Sequence, residues 1–198
     1  MAEFQIRAMV GEDAKTFIDD VAALRIKVFR EYPYLYDGAL AYEKKYLKNY
    51  SDSPESLIVV VFYKDTIIGA STGIPLDQAL EEFQAPFLSQ GYDPAKIFYF
   101  GESVLLKEFR GSGIGVRFFQ EREGYANRLG RFDYTAFCAV ERPENHPRKP
   151  SDYMPLDRFW EKRGYRKHPD MTTMLSWQEI DESDESPKPM VFWMKSLK

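Results

Sequence analysis

The sequence predicts a mixed α/β fold of the α+β kind: a single domain over residues 1–198, with helices flanking a central, mostly antiparallel sheet. Three observations predict it. Apolar runs with strand periodicity recur along the chain, residues at helical spacing fill the intervals between them, and one strand–glycine turn–helix–strand unit spans Ile97 to Val140. A chain of 198 residues, 44% hydrophobic and 16% aromatic, suffices for one substantial core but not for two comfortable domains.

Taken in order, Gln5 to Val10 alternates and reads as a first strand. Asp13 is placed to cap a helix running to about Arg30, with Phe17, Val21, Leu24 and Val28 on one face. Tyr32-Pro33 ends it. The aromatic loop Tyr32 to Gly38 (YPYLYDG) leads to a second helix, Leu40 to Tyr50. Leu57 to Tyr63 and Thr66 to Ile74 flank Lys64-Asp65 as a hairpin. A helical segment from Leu76 to Gln90 ends at the turn Gly91 to Pro94.

Ile97 to Leu106 then reads as one strand and Gly113 to Leu129 as a helix, with Ile114, Phe118, Tyr125 and Leu129 toward the sheet and Gly130 at its C-terminal cap. Phe132 to Val140 is the next strand, parallel to the one before because a helix crosses between them. A loop rich in Pro, Arg and Lys runs from Glu141 to Tyr153. Pro155 opens a short helix that Gly164 closes. Met171 to Ile180 and Met190 to Leu197 form a last antiparallel pair around DESDESPK.

Composition excludes several classes. The longest apolar run, Leu57 to Tyr63, falls far short of the ~20 residues that span a bilayer, so no membrane is expected. The start, MAEFQIRAMV, has no signal-peptide core. The only cysteine, Cys138, gives neither a disulfide framework nor a cysteine metal site, and a reducing cytoplasm fits best. Net charge −4 and pI near 5.4 argue against a nucleic-acid partner and weakly suit a cationic substrate.

The chemistry sits in SVLLKEFRGSGIG, Ser103 to Gly115. An apolar strand ends, a charged turn follows, and a helix opens through Gly111, Gly113 and Gly115. Glycines leave amide N–H groups unobstructed, and with the positive end of the helix dipole those amides form an anion site suited to a pyrophosphate. The dinucleotide fingerprint fails because Val116 stands where its third glycine belongs, and no Gly-Lys-Ser/Thr triplet completes a P-loop.

The remaining pattern, Arg110-x-x-Gly113-x-Gly115, resembles the coenzyme A pyrophosphate signature of the GNAT superfamily of acyl-CoA-dependent N-acetyltransferases. Phe159-Trp160-Glu161-Lys162-Arg163-Gly164-Tyr165 is similar to the helix that follows it in that superfamily. The order of elements matches from about Gln5 to Leu197, and RPENHPRKPSDYMPLDRFW resembles a subgroup with a long loop before that helix. The resemblance implies that acetyl-CoA is bound, with the backbone of Val104, Leu105 and Leu106 pairing with the pantetheine arm. The amides of Gly111, Ser112, Gly113, Ile114 and Gly115 would hold the pyrophosphate, with Arg110 alongside. The acceptor implied is a small-molecule amine.

Such transfer needs a neutral amine. An amine with pKa ~10.4 is mostly protonated at pH 7, adding roughly 4–5 kcal/mol to the barrier, whereas an α-amino group near ~7.7 adds only about 1. Glu102, just before the proposed thioester-contacting backbone, is the candidate base; the alternative is that it hydrogen-bonds an amide or balances an arginine. Tyr99, on the opposite parity of the strand, is placed as a second wall. The superfamily's thiolate-protonating tyrosine corresponds to Trp160, which can donate a hydrogen bond but not a proton. Tyr153 and Tyr165 are the nearby substitutes.

Tyr34 and Tyr36, in the tyrosine loop, have flat faces and polar tips that suit a substrate wall, or else pack the loop. Arg142, His146, Arg148 and Lys149 meet either a phosphate or carboxylate, or solvent. His146 and His168 lack metal-ligand spacing, so no metal is expected. Cys138 reads as a small core residue. Two functions stand: an amine acetyltransferase, or a catalytically weak acyl-CoA-binding module that senses acyl-CoA or regulates a partner. A homodimer would form through Val191 to Met194, read as an apolar edge.

Overall fold

In a computed structural model that describes residues 4–198, leaving Met1 to Glu3 of the N-terminal stretch outside, the hairpin is the centre of one half of the sheet. β2 (Leu57–Tyr63) pairs antiparallel with β1 (Phe4–Val10) on one side and with β3 (Thr66–Pro75) on the other. Its residues are buried on both faces through Phe62, because helices cover both. That is why LIVVVFY shows no alternation.

The other half is built from the crossover unit. β4 (Ile97–Tyr99) joins β3 and runs parallel to β6 (Tyr134–Val140), the one parallel pair among the described residues. β8 (Ser186–Ser196) pairs with β6, and β7 (Arg166–Trp177) closes the edge, giving the order β1-β2-β3-β4-β6-β8-β7 with β5 (Ser103–Leu105) on β3 alone. α1 (Ile18–Phe29) and α2 (Leu40–Asp52) pack together over β3 and β5, with α3 (Glu81–Ser89) against β7; α4 (Ile114–Leu129) packs on β2, β3 and β5. The short α5 (Asp157–Glu161) sits beside the start of α4, where the Phe159 ring would lie 3.2 Å from a methyl at Gly115. The mixed, largely antiparallel sheet flanked by helices is the predicted fold class.

Several elements differ from the sequence reading. Asp13 caps no helix: the chain turns at Gly11, with φ of 53°, into a 3-10 stretch to Phe17, and α1 begins only at Ile18. The segment Leu76 to Gln90 breaks into a 3-10 turn, Leu76–Gln78, and α3, and Gln84 donates back to the Ala79 carbonyl at 2.8 Å across the break. β8 starts earlier than predicted, at Ser186, where Lys188 is pinned between Glu182 (2.9 Å) and the Trp177 carbonyl (3.2 Å). β7 starts earlier as well, at Arg166 opposite Met194, but ends at Trp177 rather than Ile180. β8 is no edge. Val191 to Met194 is buried between β6 and β7, so the expectation of a dimer through that stretch is corrected. No helix among the described residues is long and apolar enough to cross a membrane.

Candidate active site

The predicted strand Ile97 to Leu106 is two strands, and the break between them builds the site. β4 pairs with both β3 and β6, and Phe100 N–H still reaches the Ala136 carbonyl at 2.8 Å. Beyond it the partners part. β5 stays on β3, while Phe137 to Val140 of β6 pair with β8 only. A gap opens between β5 and the end of β6.

Gly101 is the extra residue at the break. Phe98 and Phe100 face α4, stacking toward Tyr125 and Phe119, and Ser103 faces α4 as well, its hydroxyl accepting from Arg122 at 2.8 Å. Tyr99 stacks on Phe83 of α3, and Glu102 faces Arg25 of α1. The inserted residue resets the alternation, so Tyr99 and Glu102 share a face instead of opposing one another. No side chain fits at Gly101. A methyl there would overlap the Tyr50 hydroxyl and come within 2.6 Å of Thr72 Oγ1.

The free edge of β5 is selective. Leu106 N–H donates to the Ile68 carbonyl at 3.0 Å and Thr72 N–H to the Glu102 carbonyl at 3.1 Å, so in this register Val104 also spends its backbone groups on β3. Ser103 and Leu105 turn theirs the other way, into the gap. Of Val104, Leu105 and Leu106, only Leu105 therefore offers pairing groups to a guest. Its carbonyl holds Arg110 Nε at 3.1 Å, and Arg110 also pairs with Glu31 at 2.9 Å.

At the foot of the gap the chain turns through Gly111 (φ 79°) and Gly113 (φ 88°), conformations that suit glycine, and α4 begins. The first helical bonds come from Val116 and Arg117 to the Gly113 carbonyl, at 3.0 and 3.2 Å. The N–H groups of Ile114 and Gly115 precede them, free of intrahelical acceptors. Gly111, Ser112 and Gly113 are exposed, so the positive helix end faces solvent at the mouth of the gap.

On the α1–α2 side lies a buried charge cluster. Arg25 is enclosed by the rings of Phe29 and Tyr46, with its Nη1 2.5 Å from Glu102 Oε2 and its Nε on Glu43 Oε2. Glu43 and Glu102 are 1% and 7% exposed. Tyr46 and Tyr50 join hydroxyls at 3.0 Å and border a small cleft with Gln78, Leu80 and Phe83. Burial raises both phenols, with Glu102 adding to the effect. On the α4 side, Arg122 donates to the carbonyls of Phe118, Thr72 and Glu102 and to the Ser103 hydroxyl.

The other predicted residues fall in different places. Tyr34 packs between Phe29 and Trp177, its phenol raised by burial within reach of Cys138, Tyr153 and Glu102. Tyr36 pairs in an isolated bridge with Glu179, and burial together with Glu43 raises its phenol. The Tyr99 hydroxyl and the Cys138 thiol share a hydrogen bond of 3.2 Å. Tyr153 lies edge-on to Tyr32, 4.7 Å between centroids. Tyr165 is spent on the α4 side: its hydroxyl meets Thr135 at 2.8 Å and donates to Glu123 at 3.0 Å, and burial, then Glu123, raises it well above the usual phenol range. Trp160 packs between Phe137 and Trp193. Arg142, partly buried, binds the carbonyls of Pro33 and Tyr34 and the Glu179 carboxylate, tying the long loop to the tyrosine loop.

Arg25, Glu43 and Arg122 escaped the sequence reading, although the two arginines left a signal. Arg25 falls on the stripe of Val21 and Val28, and Arg122 lies between Phe118 and Tyr125 on the inner face of α4. A charge at an inward position needs a partner.

No protein-family model matches the chain, and no curated protein sequence matches it. Solved structures do. A GNAT-family acetyltransferase from Streptococcus pneumoniae superposes with a TM-score of 0.61 at 12% identity, over 99% of this chain and all of its own. A ribosomal-protein-alanine N-acetyltransferase from Brucella melitensis gives 0.62 at 12% identity, over 97% and 99%. A putative acetyltransferase from Salmonella typhimurium, solved with its cofactor acetyl-CoA, gives 0.58 at 9% identity, over 98% and 94%. The chain has the fold of the GNAT acetyltransferases.

Proposed function

We propose that this protein is an acyl-CoA-dependent N-acetyltransferase, one catalytic domain over the whole chain, that acetylates a primary amine of a small molecule in the cytoplasm. The gap between β5 and β6, ending at the glycine-lined start of α4, carries the reading. An extended guest bearing amides would add to the free edge of β5 at Leu105 as a further strand does, and Arg110 Nε would yield the carbonyl it now holds. The free amides at the start of α4 would take the diphosphate. The residues present fit coenzyme A.

Acetyl-CoA would supply an activated acyl group as a thioester. Ser103 N–H, turned into the gap, would hydrogen-bond the thioester oxygen as charge develops on it. Glu102 directly follows Gly101, which packs against Tyr50, on the acceptor face. It would take one proton from the ammonium. The C–N bond would form as the C–S bond breaks, and the second nitrogen proton would go to sulfur. Tyr34 and Tyr153, on the acceptor side of the sheet, are the phenols that support relaying it, directly or through water; Tyr165 is committed to Thr135 and Glu123.

A second reading, an acyl-CoA-binding module of low turnover, is favoured by Trp160 at the position of the superfamily's acid and by Arg25 on the carboxylate of the candidate base. Titration with acetyl-CoA tests binding: a raised melting temperature and altered tryptophan fluorescence are expected, and no change in either ends both readings. Coenzyme A release over amine panels then separates them.

A further inference from the structure

Glu102 carries an oxygen with nothing to bind. Its Oε2 meets Arg25, but Oε1 is sealed from solvent and has no hydrogen-bond partner among the described residues. A buried carboxylate oxygen left bare is costly, so a donor belongs there. Arg25 directs its Nη1 at Oε2 of Glu102 and its Nε at Glu43, so neither of these contacts reaches Oε1. Two carboxylates thus share one guanidinium. Arg122 lies across the sheet, engaged with main-chain carbonyls and the Ser103 hydroxyl rather than with either carboxylate.

The surroundings are aromatic. Tyr46, Tyr50, Tyr99 and Phe83 border the same face, with Tyr34 beyond them, and rings of this kind favour a cation or an alkyl chain over an anion. We propose that the acceptor enters as a cation with no carboxylate beside its amine: a small alkyl- or arylalkyl-amine whose ammonium donates to Glu102 Oε1 and whose carbon chain lies against the tyrosines. This rests on the acetyltransferase reading and narrows it. A carboxylate one carbon from the amine would be brought against Glu102 and Glu43 with no open cation to meet it.

The test compares amines that differ only in that carboxylate: tyramine with tyrosine, and phenethylamine with phenylalanine. Coenzyme A release is followed with saturating acetyl-CoA, and acceptor binding by calorimetry. The decarboxylated member of each pair is expected to be favoured about a hundredfold in kcat/KM, equal to about 2.7 kcal/mol. Preference within tenfold, or for the amino acid, overturns the proposal. So does acetyl-CoA binding with neither amine bound or turned over. Failure of acetyl-CoA itself to bind instead overturns the underlying acetyltransferase reading, which separates the two. In Glu43→Gln the gap should narrow at least tenfold while acetyl-CoA affinity holds; the wild-type comparison stands on its own if that variant does not fold.

Discussion

Arg122 donates to the main-chain carbonyl of Glu102 at 3.0 Å from one face of the sheet, while the Glu102 carboxylate meets Arg25 on the other. The two arginines hold a single residue from opposite sides at the point where the sheet divides. Arg122 takes in the Thr72 carbonyl as well, so it clamps β3 and the β4–β5 break together. Burial lowers its pKa to about 10, yet the cation persists at neutral pH because four acceptors surround it.

Replacing that clamp should therefore cost both stability and binding. Arg122→Met removes four hydrogen bonds from one buried cation, although the Thr72 and Glu102 carbonyls keep their backbone donors. We expect about 3 kcal/mol lost from unfolding free energy in urea titrations. Acetyl-CoA affinity should fall with it, as the gap loses its set width. Unchanged affinity in a folded variant would show that Arg122 serves packing alone.

Gly101→Ala should be disruptive although it adds one methyl. The new carbon would overlap the Tyr50 hydroxyl and press on Thr72 Oγ1 at 2.6 Å. Overpacking of this sort costs about 1–3 kcal/mol. Tyr50→Phe removes the clashing oxygen, so the double variant should regain part of the loss. A double-mutant cycle in denaturant midpoints checks it, and simple additivity would refute the clash.

Glu102→Gln tests the base. We expect kcat/KM to drop by about 10²–10⁴ and the shape of the pH–rate profile to change. An unchanged profile would remove Glu102 from proton transfer and leave it as the partner of Arg25.

Cys138 should be inert. Burial pushes its thiol up to about 12, from 9.0, the Tyr99 hydroxyl only partly opposing the rise. At pH 8 about one thiol in ten thousand is ionised, and the thiolate is the reactive form. Iodoacetamide at that pH is expected to label the native protein far more slowly than the urea-unfolded chain; equal rates would contradict it.

Glu182 should govern part of the acid response. Hydrogen bonds from Ser186 and Lys188 lower its carboxyl from 4.5 to about 2. A depressed folded pKa means stability that is present above pH 4.5 and lost as pH falls toward 2. Glu182→Gln should flatten the urea midpoint against pH over that window and change it little at pH 7. A slope equal to wild type would refute the assignment.

What the sequence determined by itself is what repeats locally. The Leu57–Tyr63 run, the helical face of Ile114, Phe118 and Tyr125, and the crossover between Ile97 and Val140 are written in periodicity, which depends only on neighbours along the chain. The glycines from Gly111 to Gly115 mark the helix mouth for the same reason: positive φ at Gly111 and Gly113 is a local demand. Tertiary structure alone decided the rest. One unbroken apolar run became β4 and β5 because β3 holds both while β6 holds only the first, and that competition for partners is invisible within Ile97–Leu106. It reset the parity of Tyr99 and Glu102, left Leu105 with a free edge, and moved Val191 to Met194 from supposed edge to interior. Arg25, Glu43 and Glu102 meet across three elements, a contact set by packing rather than by spacing.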